Sequence, residues 1–201
     1  MFFTIIFSIY IVINTYIFIR GWQAVPAVLA WRLTYVGVFL FVFLAFILGR
    51  VVEHKRSTFG SEILIWVGAF WLAAMLYFVL ACAVLDVARV VNHFLPFFPK
   101  AVAADYPRAK VVTLGVSIAA VALLVLGGHI NTYFIRTRTL VLDIPKEVSG
   151  PKTLHVVLAS DIHLGGIIGD SRLRTIVGKI NALSPDLIIL GGDIVDEDLS
   201  A

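Results

Sequence analysis

The sequence has 201 residues, of which 60% are apolar and only 14% are charged, and its mean hydropathy is +0.98. Soluble domains are about 45–50% apolar and about 25% charged, so this composition indicates a membrane protein and excludes a disordered chain. The single cysteine, Cys82, excludes a disulfide framework, and the net charge of +3 predicts no nucleic-acid partner because basic residues beside membrane spans account for it.

Four apolar stretches are long enough to cross a membrane as helices, which takes about 20 residues each. They are residues 2–19, 33–49, 63–85 and 111–134. They lack the alternation typical of β-barrel strands, and no Asp, Glu, Lys or Arg lies inside them, which disfavours a transporter. We therefore predict that residues 1–135 form a multi-pass integral membrane domain of four helices, with the lipid bilayer as its partner.

The sequence leaves open the orientation of this domain, the role of one segment between spans and the surroundings of its tryptophans. Lys and Arg divide seven against six between its two sides, so the side that the C-terminal part faces is not determined. The segment 91–106, rich in Phe and Pro, predicts a chain lying at the membrane interface, with a broken helix lining a substrate groove as the alternative. Four tryptophans near the predicted span ends fit the headgroup region or packing between helices: Trp22, Trp31, Trp66 and Trp71.

Residues 136–201 have the composition of a soluble domain, with seven basic and nine acidic residues from Ile135 onward. The pattern predicts a strand at 139–144, a linker at 146–152, a buried strand at 154–160, a helix over 173–183 capped by Asp170 or Ser171, and a second buried strand at 187–190. Strand, helix and strand at this spacing predict a right-handed crossover unit with parallel strands.

Polar side chains follow both buried strands. Asp161 and His163 come after the first strand, and Asp193 and Asp196 come after the second. If the chain stays extended, Asp161 and His163 project to one face, within reach of Asp193 on a strand about 5 Å away. Mixed oxygen and nitrogen ligands suit Mn, Fe, Co, Ni or Zn better than Ca, so the sequence predicts a metal site, with an exposed turn as the alternative.

Residues 155–163, HVVLASDIH, and 184–196, SPDLIILGGDIVD, resemble the first two motif blocks of the calcineurin-like metallophosphoesterases. The resemblance covers about the last quarter of the chain, and the preceding spans are similar to the subgroup with N-terminal transmembrane helices. It implies a four-layer α/β sandwich with two divalent metal ions. By this resemblance Asp161 and His163 would bind one metal, Asp193 would bridge both, and Asp196 would support these ligands without binding metal itself.

The resemblance implies a membrane-anchored hydrolase that cleaves a phosphoester or pyrophosphate by attack of a metal-activated water, with a lipid-linked phosphate as one candidate substrate. The family's later Asn and His motifs have no counterpart before Ala201. We therefore expect residues 136–201 to be the N-terminal part of the domain, and the chain to be an inactive N-terminal fragment. The alternatives are a non-catalytic membrane sensor or scaffold with a degenerate domain and, less favoured, a transporter.

Overall fold

The structure is a computed structural model that describes residues 1–55, 59–145, 153–165 and 168–195. It divides into two compact units, Met1–His129 and Ile130–Ala201. The sequence-based domain limits of 1–135 and 136–201 stay a prediction.

The first unit is built from helices. In chain order these are α1 (Phe2–Trp22), α2 (Leu29–Lys55), α3 (Phe59–Phe94), the short α4 (Lys100–Ala104) and α5 (Tyr106–Asn131). Within the described residues, four stretches are long and apolar enough to cross a membrane: Phe2–Trp22, Leu29–Gly49, Phe59–Phe94 and Tyr106–Asn131. A helix satisfies its backbone polar groups internally, as the bilayer requires. The four predicted spans are confirmed, and the chain is a multi-pass integral membrane protein.

The helix limits differ from those predicted, most of all in α3. This helix has 36 residues and continues through Phe94, so the first part of the predicted interfacial segment is helical. After α3 the side-chain oxygen of Asn92 accepts hydrogen bonds from the backbone amides of Phe97 (2.8 Å) and Phe98 (2.7 Å). These hydrogen bonds could not be predicted from hydropathy, because hydropathy reports the length of an apolar stretch and not where backbone amides find acceptors.

Helices α2 and α3 pack closely through small residues. A Cβ atom at Gly68 would lie 2.4 Å from the Cα of Phe46, and one at Gly49 would lie 2.9 Å from the backbone nitrogen of Ile65. Ala45 and Ile65 are both buried at this contact region, at 0% and 5% exposure. In a bilayer, where lipid is as apolar as Leu, such close backbone approach is a main source of helix association.

One buried polar side chain joins α1 to α3. The side-chain oxygen of Asn14 accepts a hydrogen bond from the indole nitrogen of Trp71 (3.0 Å), and its amide donates to the carbonyl of Tyr10 (2.8 Å) and the sulfur of Met75 (3.1 Å). Every polar atom of Asn14 therefore has a partner although the residue is only 2% exposed. For Trp71, packing between helices is the correct one of the two interpretations.

A charged network links the end of α1 to α3. The Asp86 carboxylate accepts a hydrogen bond from the Tyr16 hydroxyl (2.6 Å) and pairs with Arg20 (2.5 Å) and Arg89 (2.8 Å). The third predicted span, 63–85, ends directly before Asp86, whereas α3 continues to Phe94 and contains this residue. An acidic side chain in a long apolar helix is tolerated because opposite charges neutralise it.

The second unit contains one strand–helix–strand arrangement. Its elements are β1 (Val156–Ser160), α6 (Asp170–Ala182) and β2 (Leu187–Gly191). The strands pair in parallel, with Val156 opposite Leu187 and Ser160 opposite Gly191. The prediction of two parallel strands around a helix is confirmed, and this order is that of the start of an α/β domain.

Two local predictions in this unit are wrong. Residues 139–144 form no strand, because an extended segment becomes a strand only where a neighbour accepts its backbone hydrogen bonds, and none does so in the part of the chain that the structure describes. Helix α6 is capped by Gly169, with no side-chain cap, and Asp170 is its first residue. The predicted linker 146–152 lies outside the described residues.

The close approach at Gly68 gives a test of the α2–α3 contact. Gly68→Ala should destabilise the detergent-solubilised protein by about 1–3 kcal/mol, because the new methyl group meets the backbone of Phe46. The measurement is thermal unfolding followed by circular dichroism. Gly115→Ala is the matched control, since nothing lies within 4 Å of a Cβ there, and equal effects of the two changes would contradict the packing described.

The four spans also predict a membrane topology. Single cysteines at Ala27 and Ala103, in a Cys82→Ala background, should react with an impermeant thiol reagent from one side of sealed vesicles. A cysteine at Thr139 should react only from the other side, because one further span separates it from Ala103. Labelling of all three positions from a single side would refute the four-span arrangement.

Candidate metal centre

The loops that leave β1 and β2 remain joined beyond the ends of the strands. Three amides of the first loop donate hydrogen bonds to carbonyls of the second: Asp161 to Gly192 (3.3 Å), His163 to Asp193 (2.9 Å) and Leu164 to Ile194 (3.0 Å). A parallel bridge between Leu164 and Val195 follows. The sheet therefore continues, through irregular backbone, into the region that carries the predicted ligands, which restrains the two loops relative to each other.

The structure brings Asp161, His163 and Asp193 together at this edge. Each offers one ligand atom, and these atoms all lie within 4.8 Å of one another. All three residues are exposed, whereas Ile162 between the first two is buried at 9% exposure. The burial of Ile162 anchors the first loop while its two polar neighbours face outward.

The backbone at these residues is not extended, contrary to the condition stated in the sequence analysis. Asp161, His163 and Asp193 have positive φ angles of 54°, 52° and 37°. Asp and His enter the left-handed region more readily than most residues, but a non-glycine residue there still costs on the order of 1–3 kcal/mol. Such strain tends to be retained where a functional site requires a particular side-chain position.

Gly192 shares this left-handed conformation, with a φ of 49°. Nothing lies within 4 Å of a Cβ atom built on it, so the backbone angle and not crowding by the described residues favours glycine here. Gly192 lies directly before Asp193 and sets the direction in which that carboxylate leaves the strand.

The donor set and spacing of the three residues fit a divalent metal ion. Two ligand atoms of one ion, each about 2.2 Å from it, lie at most about 4.4 Å apart, so small side-chain rotations would close the observed 4.8 Å spread. Two carboxylates and an imidazole suit Mn, Fe, Co, Ni or Zn. Asp196, the predicted supporting residue, lies outside the described residues.

Two further contacts position this unit and were missed by the sequence analysis. At the start of β1, the amide of His155 donates to the Asp186 carboxylate (2.8 Å), and the amide of Asp186 donates to the carbonyl of His155 (2.9 Å). On α6, Arg172 donates hydrogen bonds to the hydroxyl and carbonyl of Thr132 and lies over the ring of Tyr133. For the first contact the sequence offers one local indication, an Asp directly before a buried strand. For the contacts of Arg172 it offers none.

Comparison with known proteins gives partial matches. Over 57 residues the chain is 42% identical to a transmembrane protein with metallophosphoesterase domain from Danio rerio, a match that covers 28% of this chain and 12% of that protein. Over 77 residues it is 32% identical to the UDP-2,3-diacylglucosamine pyrophosphatase LpxG of Chlamydia trachomatis, a match that covers 38% of this chain and 23% of that protein. An uncharacterized metallophosphoesterase of Aquifex aeolicus is 29% identical over 71 residues, a match that covers 35% of this chain and 27% of that protein.

The chain therefore matches only about an eighth to a quarter of the length of these curated relatives. No protein-family profile and no solved structure matches it. Two of the three relatives carry the word metallophosphoesterase in their names, and the third is named a pyrophosphatase. These matches confirm the resemblance found in the sequence: part of the chain is similar to proteins named metallophosphoesterases, one of which is also named a transmembrane protein.

Proposed function

We propose that this chain contributes the membrane anchor and the first metal ligands of a metal-dependent phosphohydrolase. The observation that carries the proposal is the convergence of Asp161, His163 and Asp193, each with left-handed backbone, at the carboxyl edge of two parallel strands. Three side chains able to bind metal, all with strained backbone and all at one sheet edge, are typical of a functional site. The relatives' names support the same reaction class.

In this proposal Asp161 and His163 hold one divalent ion, Asp193 contacts two ions, and Asp196 supports them. The ions would be Mn, Fe, Zn, Co or Ni. When bound, they would supply the positive charge that holds phosphate oxygens and activates water for in-line attack on a phosphoester or pyrophosphate. Asp193 thus carries the largest share of metal affinity.

The other described residues of the site position these ligands. The backbone hydrogen bond from His163 to Asp193 (2.9 Å) ties two proposed ligands from different strands directly to each other. Because the three side chains are exposed, a phosphate can approach them from solvent without displacing a buried element. Ile162, buried beneath them, resists rotation of the loop that carries two of the three.

A lipid-linked phosphate or pyrophosphate is the substrate class that we propose. Residues 132–155 connect α5 to β1, and a chain reaches at most about 3.3–3.6 Å per residue, so this tether limits the distance between the site and the membrane. The relative from Chlamydia trachomatis is named a UDP-2,3-diacylglucosamine pyrophosphatase. A substrate of this kind could keep its acyl chains in the bilayer while its phosphate reaches the ligands.

The first test is hydrolysis of p-nitrophenyl phosphate by the complete protein. Activity should require Mn²⁺ or a similar cation and disappear with excess chelator. Asp193→Asn should lower kcat/KM by at least about 100-fold. Loss of a residue that only hydrogen-bonds to a metal ligand typically costs about 10–100-fold in activity, and loss of the ligand itself should cost no less.

Asp186→Asn is the matched control for that change, because Asp186 contacts His155 at the other end of the sheet. It should leave metal dependence unchanged. Full turnover of the metal-free protein, or equal loss in both variants, would contradict the proposed site. A protein that binds metal through Asp193 yet hydrolyses neither this ester nor a lipid-linked phosphate would instead be a sensor or scaffold.

The second test uses the 201-residue chain itself. Two ions with at least about four ligands each need more protein ligands than the three described here, so this chain should bind Mn²⁺ weakly and hydrolyse nothing measurable. Electron paramagnetic resonance of added Mn²⁺ measures the binding, which Asp193→Asn should weaken further. Hydrolysis by this chain at the rate of the complete protein would show that the site is assigned wrongly.

A further inference from the structure

The membrane unit also contains a cavity that is lined by basic and apolar side chains. This cavity of about 560 Å³ opens beside the turn between α1 and α2 and is lined by turn residues 22–27, Arg32 of α2 and residues of the first turns of α5 from Pro107 to Val111. Its volume is in the range of ligand pockets, about 300–1,000 Å³. It lies where α1 ends and where α2 and α5 begin.

The charged side chains that line the cavity are all basic: Arg32, Arg108 and Lys110. Among the described residues no carboxylate forms an ion pair with any of them, and the nearby Asp105 carboxylate bonds only to the backbone amide of Arg108 (3.0 Å). The Nε atom of Arg32 is buried without a hydrogen-bond partner, as is the Nε atom of Arg20, whose guanidinium nevertheless pairs with Asp86. Arg32 has no such carboxylate among the described residues, so its guanidinium remains open to an external anion.

These cations differ from the other basic residues at the same end of the helices. Arg20 and Arg89 both pair with Asp86, which satisfies their charge within the protein. No such carboxylate balances Arg32, whose guanidinium lies 4.7 Å from the ring of Trp22. The cavity therefore concentrates positive charge that the described protein does not neutralise.

The rest of the lining suits a molecule with an apolar part. Val25, Pro26, Pro107 and Val111 contribute apolar surface beside the cations. Trp22 and Tyr106 stand at the ends of apolar spans, where aromatic rings mark the membrane–water interface. Basic pockets between transmembrane helices at this depth favour anionic lipid headgroups.

We propose that this cavity binds the phosphate headgroup of an anionic membrane lipid. Arg32 donates to the phosphate from α2, and Arg108 and Lys110 contact it from α5. The lipid would thereby join α5 to the α1–α2 turn. This has a structural use because Val121 is the only buried residue of α5.

The test is native mass spectrometry of the detergent-solubilised protein titrated with phosphatidylglycerol. Binding should be saturable, and phosphatidylcholine should bind much more weakly because its headgroup has no net charge. Arg32→Gln and Lys110→Gln should each raise the dissociation constant about fivefold, the effect expected for one lost cation at a lipid surface. Two separate variants keep the test valid if one of them fails to fold.

Lys100→Gln is the control, because Lys100 carries the same charge near the same helix ends but does not line the cavity. It should leave the dissociation constant unchanged, and an equal effect in all three variants would show diffuse attraction and overturn the proposal. Glycerol phosphate, a soluble phosphate without acyl chains, should not compete with phosphatidylglycerol for the cavity. If it displaces phosphatidylglycerol at equal concentration, the cavity is a site for soluble phosphates and the lipid proposal is wrong.

Discussion

Strands β1 and β2 pair in parallel with Ser160 opposite Gly191, and so both loops leave the sheet at the same edge. Everything proposed for the metal centre depends on this pairing. An antiparallel pair would place the ends of the two strands at opposite edges, and Asp161 and Asp193 would lie a full strand length apart. The hydrogen bond from His163 to Asp193 extends the restraint into the loops, where regular strand geometry has already been lost.

The membrane unit obeys a different constraint, the cost of polar groups that lack partners in an apolar medium. Asn14 is buried but bonds to Trp71 on another helix, and Asp86 is held by Arg20 and Arg89. Arg32 departs from this pattern, because no carboxylate among the described residues pairs with its guanidinium. This uncompensated charge beside the cavity supports the proposal of an anionic lipid there.

The metal centre and the basic cavity have different physical origins. The first is built from acidic and imidazole groups held by a short sheet, and it is open to solvent. The second is built from cations carried on helix ends, beside apolar surface. We propose metal ions for the first and a phosphate attached to a lipid for the second. Together the two proposals describe a chain that contacts phosphate at two places by two unrelated means.

The sequence by itself determined the four spans, the parallel strand–helix–strand unit and the convergence of Asp161, His163 and Asp193, because apolar length, periodicity and strand direction are properties of local residue order. It did not reveal the left-handed backbone of these residues or the absence of a strand at 139–144. Both depend on which backbone groups find partners across the fold. Only the tertiary structure decided that Asp86 lies in an ion-paired network and that Arg32 lacks a carboxylate partner among the described residues, since such pairings are set by distances between helices that residue order does not contain.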